Sequence, residues 1–147
     1  MTSDYQKIVP DDSLCRDCQP CMLGCSLFHF GDCDPLKARL RIEKNMAQYK
    51  FHIVICRQCE NPDCVPVCPN ASIAINENGI IIIDQEECIR CGACADACPY
   101  GAIFYNEELD QYLKCDHCEG RADGPVCVQL CPVAALVIKK PESERAE

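Results

Sequence analysis

The chain carries its apolar residues in short bursts. Arg39-Leu40-Arg41-Ile42 alternates polar and apolar, as does the run into Phe51–Ile55, which predicts two short strands. Ile73-Ala74-Ile75 and Ile80–Ile83 flank Asn76-Glu77-Asn78-Gly79, and Asn-Gly between two aliphatic runs predicts a hairpin. Ala102–Tyr105, Leu109–Leu113 and Leu136–Ile138 predict three further strands. A helix running through Leu27 and Phe28 is expected to break at Gly31-Asp32-Cys33-Asp34-Pro35. Residues 1–13 read as a polar leader, an arm free to lie against a partner, and Pro141–Glu147 as a charged, frayed end.

Between these bursts lie the cysteines, and they change the picture. Sixteen of the 17 fall into four quartets. The third, Cys88, Cys91, Cys94 and Cys98 followed by Pro99, has the spacing C-x2-C-x2-C-x3-C-P, the bacterial-ferredoxin pattern for a 4Fe–4S cluster. Two-residue gaps wrap a short loop around one corner of a cube, so three sulfurs reach three irons. The three-residue step begins a helical turn that swings the fourth sulfur to a neighbouring cube, and proline stops the chain there. The first quartet, Cys15, Cys18, Cys21 and Cys25, repeats the spacing with Ser26 in place of proline. The second, Cys56, Cys59, Cys64 and Cys68-Pro69, has four residues in its middle gap, with Asn61-Pro62-Asp63 as a turn. The fourth, Cys115, Cys118, Cys127 and Cys131-Pro132, has eight there, a polar glycine-containing surface loop.

Quartet followed by strand or hairpin, four times over, is an internal repeat. The inner two quartets read as one two-cluster unit and the outer two as a second, split across the chain ends. The crossover rule then gives four ligand sets. These are Cys15, Cys18, Cys21 with Cys131; Cys115, Cys118, Cys127 with Cys25; Cys56, Cys59, Cys64 with Cys98; and Cys88, Cys91, Cys94 with Cys68. The expected fold class is α+β: two intertwined bacterial-ferredoxin-like (βαββαβ-type) two-cluster units of short strands and hairpins. They form one compact domain over 1–147, with 14–45 plus 106–140 as the outer unit and 46–105 as the inner.

Composition narrows the alternatives. With no Trp and only four Phe and five Tyr, the conventional core is thin, and metal–thiolate bonds are the available source of cohesion. A secreted disulfide framework would need a signal peptide, and Met1–Pro10 has no apolar segment. This favours the cytoplasm. Structural zinc, throughout or in one irregular quartet, is the competing reading, although zinc knuckles are usually about 15–20 residues apart. The longest aliphatic run, Ile80–Ile83, is far short of the about 20 residues of a membrane span, so no direct membrane insertion is expected. A net charge of −9 argues against nucleic acid. No phosphate-binding glycine loop or G-x-S-x-G is present, and a cluster held by four thiolates has no open position for substrate. The chain is therefore not expected to be an enzyme by itself.

The quartet order resembles the four-cluster ferredoxin-like electron-transfer subunits of molybdenum, tungsten, carbon monoxide and hydrogenase-type oxidoreductases, from Cys15 to about Ile138. The resemblance implies four 4Fe–4S clusters acting as a wire between a large catalytic subunit and an outside carrier, a ferredoxin or a flavin- or NAD-linked partner. A narrower likeness, in Cys25-Ser-Leu-Phe-His29-Phe-Gly31 through Pro35 and Ala38–Ile42, is to the small subunits of aldehyde ferredoxin oxidoreductase-type tungsten enzymes, tungsten benzoyl-CoA reductases among them. It implies a tungsten- or molybdenum-pterin partner. The alternatives are a freely diffusing polyferredoxin, or a subunit of a carbon monoxide dehydrogenase, hydrogenase or formate dehydrogenase.

Outside the quartets, Cys33 reads as a buried or unreactive free thiol. His29 reads as a helix-end residue, with tuning of a cluster sulfur as the alternative. His117 is not needed as a ligand in a complete quartet. Lys37, Arg39 and Arg41 read as a docking stripe or a solvated strand face.

Overall fold

A computed structural model describes residues 7–139. The elements run β1 (Lys7–Pro10), α1 (Pro20–Phe30), a 3-10 turn (Pro35–Lys37), β2 (Leu40–Asn45), β3 (Lys50–Ile55), β4 (Ile73–Ile75) and β5 (Ile81–Ile83). They continue with α2 (Ala93–Ala97), β6 (Phe104–Asn106), β7 (Gln111–Leu113), α3 (Val126–Leu130) and β8 (Leu136–Lys139). All strands pair antiparallel in two-stranded ribbons, β1–β8, β2–β3, β4–β5 and β6–β7. The result is the short-stranded, hairpin-rich architecture of a ferredoxin-like domain. The Asn-Gly hairpin forms with Ile73 opposite Ile83. Asn76 Oδ1 accepts the N–H groups of Asn78 and Ile80 at 2.9 and 3.0 Å, and Gly79 takes φ +78°. Ribbons β2–β3 and β6–β7 each lie across the expected unit boundaries, at 45/46 and 105/106.

The leader is corrected from residue 7 onward; residues 1–6 and the charged end lie outside the described residues. Lys7–Pro10 is a strand whose partner is β8, with Ile8 opposite Ile138. Ile8 is only 1% exposed. Further along, Asp11 N–H donates to Ala135 O at 2.7 Å, and Asp12 Oδ1 accepts Ile53 N–H at 2.9 Å. A four-residue strand with one buried aliphatic looks like leader in sequence, because its burial depends on β8, more than a hundred residues on.

Two apolar groups make the core. The larger joins Ile8, Leu40, Ile55 and Leu136 to Cys15, Cys21, Cys25, Cys56, Cys115 and Cys127; the smaller joins Ile73, Ile81 and Ile103 to Cys64 and Cys94. Cys98 packs against both. Nine of the described cysteines are buried, so whatever the thiols hold decides much of the cohesion. Among the described residues, no helix is long and apolar enough to cross a membrane.

Candidate metal-cluster sites

Each C-x2-C loop is bent by the same device. The residue just before the second cysteine takes a left-handed backbone in all four quartets: Asp17 (φ 55°), Gln58 (47°), Arg90 (61°) and His117 (55°). A non-glycine residue there costs about 1–2 kcal/mol, so the loops are held in a shape that short-range preference disfavours. In return, main-chain N–H groups turn toward sulfur. Gln58 N–H lies 3.4 Å from Cys56 Sγ and His117 N–H lies 3.5 Å from Cys115 Sγ.

The three Cys-Pro exits repeat a second device. Ala71, Gly101 and Ala134 take φ of 51°, 61° and 53°. The next N–H then points back at the exit sulfur: Ser72 to Cys68 at 3.3 Å, Ala102 to Cys98 at 3.5 Å and Ala135 to Cys131 at 3.2 Å. Ser72 Oγ adds a contact to Cys68 Sγ at 3.0 Å. Although burial opposes it, these bonds hold the Cys68 thiol below its ordinary pKa.

The thiols gather around small cavities. Cys15, Cys18, Cys21 and Cys131 line one, with Ile42, Ile53 and Leu136. Cys56, Cys59, Cys64 and Cys98 line a second, with Ile81, Ile103 and Lys114. Cys68, Cys88, Cys91 and Cys94 line a third, with Ile73, Ile83 and Tyr112. The remaining four also come together. Burial first, and then the neighbouring Cys25 and Cys118, push the Cys127 thiol up, and Cys25 adds to the rise of Cys118 to about 11. Burial and then Cys127 and Cys56 raise Cys115. In the first cavity, burial pushes Cys21 up to about 12, with Cys131, Cys15 and Cys18 contributing. Four crowded, buried thiols resist ionisation unless a cation shares their charge, and their N–H donors favour the thiolate form. Soft donors around an aliphatic-walled cavity fit an iron–sulfur cluster. Among the described residues, no three of His, Cys, Asp and Glu draw together around a single ion's position.

Among the singled-out residues, His29 sits in the last turn of α1 as expected, whereas the odd cysteine and the three cations fall elsewhere. Cys33 is exposed, not buried. Lys37, Arg39 and Arg41 form neither a docking stripe nor a solvated face. Lys37 is buried on Asp32 and Glu108 at 2.6 and 3.2 Å. Arg39 bridges Asp116 and Lys114 O, both at 3.2 Å. Arg41 folds back on the carbonyls of Leu36, Ala38 and Leu40, its guanidinium 4.5 Å over the Phe104 ring. Strand alternation placed them outward, but the chain packs 104–116 against that side. His29 has its side chain 7% exposed, Nε2 2.9 Å from Asp116 and Nδ1 2.8 Å from Cys25 O and 3.6 Å from Cys25 Sγ. Burial opposes its proton, but Asp116 and Cys25 outweigh that and raise its pKa to about 9. His117 is the opposite case: burial and then Lys114 lower it to about 4, and Nε2 is buried without a hydrogen-bond partner.

Two residues escaped the sequence reading. Gln58 is fully buried and Lys114 nearly so.

Fold and sites together define an iron–sulfur protein whose residues hold and insulate metal clusters. The 4Fe–4S dicluster domain family matches residues 47–140, and this protein belongs to it. The B subunit of the anaerobic dimethyl sulfoxide reductase of Escherichia coli K12 is 36% identical over 92% of this sequence and 73% of its own length. Electron transport protein HydN of the same strain is 34% identical over 88% of this sequence and 85% of its own length. The active-site complex BamBC of benzoyl coenzyme A reductase with benzoyl-CoA matches in fold, with a TM-score of 0.56 and 24% identity over 97% of this protein and 86% of that one. The protein is an iron–sulfur electron-transfer subunit of the oxidoreductase type, non-catalytic by itself, with 4Fe–4S clusters as its cofactors.

Proposed function

We propose that the chain carries four 4Fe–4S clusters in a line. One is held by Cys15, Cys18, Cys21 and Cys131, and the next by Cys25, Cys115, Cys118 and Cys127. Cys56, Cys59, Cys64 and Cys98 hold the third, and Cys68, Cys88, Cys91 and Cys94 the fourth. The observation that carries this reading is the composition of the cavities: each of the three has three thiols from one quartet and the exit thiol of another. The order follows from neighbours across sets, Cys21 beside Cys127 and Cys56 beside Cys115. Each set draws on both quartets of its pair, so the chain is one compact domain of two interleaved units, 46–105 inside 14–45 plus 106–140.

Bound clusters supply one-electron chemistry; the residues supply spacing, thiolate charge and shielding from water. The wire runs between a pterin-bearing catalytic subunit and an outside carrier, a ferredoxin or a flavin- or NAD-linked partner. Tungsten is the metal favoured by the stretch from Cys25 to Ile42, and the dimethyl sulfoxide reductase relative is itself one subunit of a reductase. The complex is cytoplasmic in this reading. Anaerobic purification from native extract tests it. The chain is expected to co-elute stoichiometrically with a larger polypeptide containing tungsten or molybdenum. It should itself hold about sixteen irons and as many sulfides. Elution alone would favour a diffusing carrier, and zinc without iron would end the cluster reading.

A further inference from the structure

A lysine is buried between the two middle thiol sets with, among the described residues, no carboxylate paired to it. Lys114, 3% exposed, lines the cavity of Cys56, Cys59, Cys64 and Cys98. Its ammonium donates to Ile81 O and, at 3.0 Å, to Cys115 O, the main chain of a thiol in the neighbouring set. Gln58, fully buried, grips the same two positions: Nε2 donates to Cys115 O at 2.9 Å and Ile81 O at 3.4 Å, and Oε1 accepts Ile81 N–H at 2.7 Å. Among the described residues, no Asp or Glu makes an ion pair with Lys114. A buried cation is costly unless negative charge lies close. The negative charge within reach is that of the thiols: the ammonium lines the cavity that holds Cys64 and lies 3.0 Å from the carbonyl of Cys115, a residue of the neighbouring set.

We propose that Lys114 is the shared counter-cation of the second and third clusters, and that Gln58 positions it. The inference rests on the four-cluster reading. A fixed positive charge at the junction stabilises the reduced form of both clusters, since reduction adds one negative charge there. It therefore holds their potentials up together, and one electron crosses between the two halves of the chain with no bond made or broken and no proton moved. A single lysine serving two sites keeps the middle of the wire level without matching two separate environments.

The test is a redox titration of the subunit in its native complex, followed by electron paramagnetic resonance, with iron and sulfide measured on each sample. In Lys114→Gln, which keeps a donor and loses the charge, two of the four reduction steps are expected to fall about tenfold in equilibrium constant, about 59 mV for a one-electron couple. The other two should hold, and Lys114→Arg should restore the pair. All four steps unmoved at full iron content, or all four falling equally, would overturn the inference while leaving the cluster reading intact. Wild-type protein without iron would overturn both. Should Lys114→Gln fail to load iron, Gln58→Glu sets a carboxylate beside the same ammonium. A fall of the same two steps then supports the proposal, and unmoved steps sink it.

Discussion

The exit of the first quartet and the exits of the other three meet one electrostatic need by different routes. After Cys68, Cys98 and Cys131, proline turns the chain, a left-handed residue follows, and an N–H four residues on points back to sulfur at 3.2–3.5 Å. After Cys25 there is serine, and the helix runs on to Phe30, where Gly31 caps it with φ +76°. No turn then brings a main-chain N–H from four residues on back to the sulfur. Cys25 Sγ instead takes the N–H of Arg39 at 3.3 Å, fourteen residues away. Ser26 makes this possible: its hydroxyl donates to Asp32 O and accepts Asp34 N–H at 3.1 Å, folding the chain back from the helix end. A thiolate-stabilising donor can be built from a turn or delivered by the tertiary structure. The second route surrounds Cys25 with a charged network of His29, Asp116 and Arg39 that the turn-built exits do not have.

The hardest way to break this comparison is to remove exit thiols. Cys131→Ala is expected to abolish the cluster of Cys15, Cys18 and Cys21 while Cys115, Cys118 and Cys127 keep theirs. Cys68→Ala should do the same to the cluster of Cys88, Cys91 and Cys94. Resonance spectra that lost the mutated quartet's own signal instead would refute the exchange of thiols. Next in size is Ser26→Pro, which gives the first exit the sequence of the others. Proline inside α1 removes a helical hydrogen bond and clashes with the preceding turn, about 3 kcal/mol or more. Denaturant titration should show that loss, and Pro132→Ser a smaller one. A Ser26→Pro protein of wild-type stability would mean that the two exits are interchangeable.

A smaller effect separates the exits by pH. His29 has a folded pKa raised to about 9, above its ordinary value of 6.5. Its stabilisation is therefore complete below about pH 6.5 and is lost as pH rises through about 9. The melting-temperature gap between wild type and His29→Phe should be widest in mild acid and close in alkali; a gap that widens with pH would contradict the ion pair. Smallest is Ser72→Ala. It removes the one hydroxyl donor among the turn-built exits and should lower the potential of the cluster it serves, leaving the other potentials in place.

How much of this was legible in the chain follows the range of the forces involved. The hairpin at Asn78-Gly79, the strands near 40–45, 50–55 and 136–139, and the end of α1 at Gly31 were readable, because turns and caps are set by neighbouring residues. The Cys-Pro spacing marked the repeated exits for the same reason. Illegible were β1, the inward Lys37, Arg39 and Arg41, and the pair Gln58 and Lys114. Each of these depends on a surface supplied from far along the chain: β8 for β1, the segment 104–116 for the cations, Ile81 and Cys115 for the lysine and glutamine.

The sequence alone determined the number and spacing of the thiols, the local turns that present them and the kind of metal they suit, since loop length and donor softness are short-range properties. The spacing rule also named the thiols that share each cavity; tertiary structure alone decided which cations lie inside and what packs around them. Burial and charge pairing depend on what packs opposite, and no spacing rule along one strand of sequence carries that information.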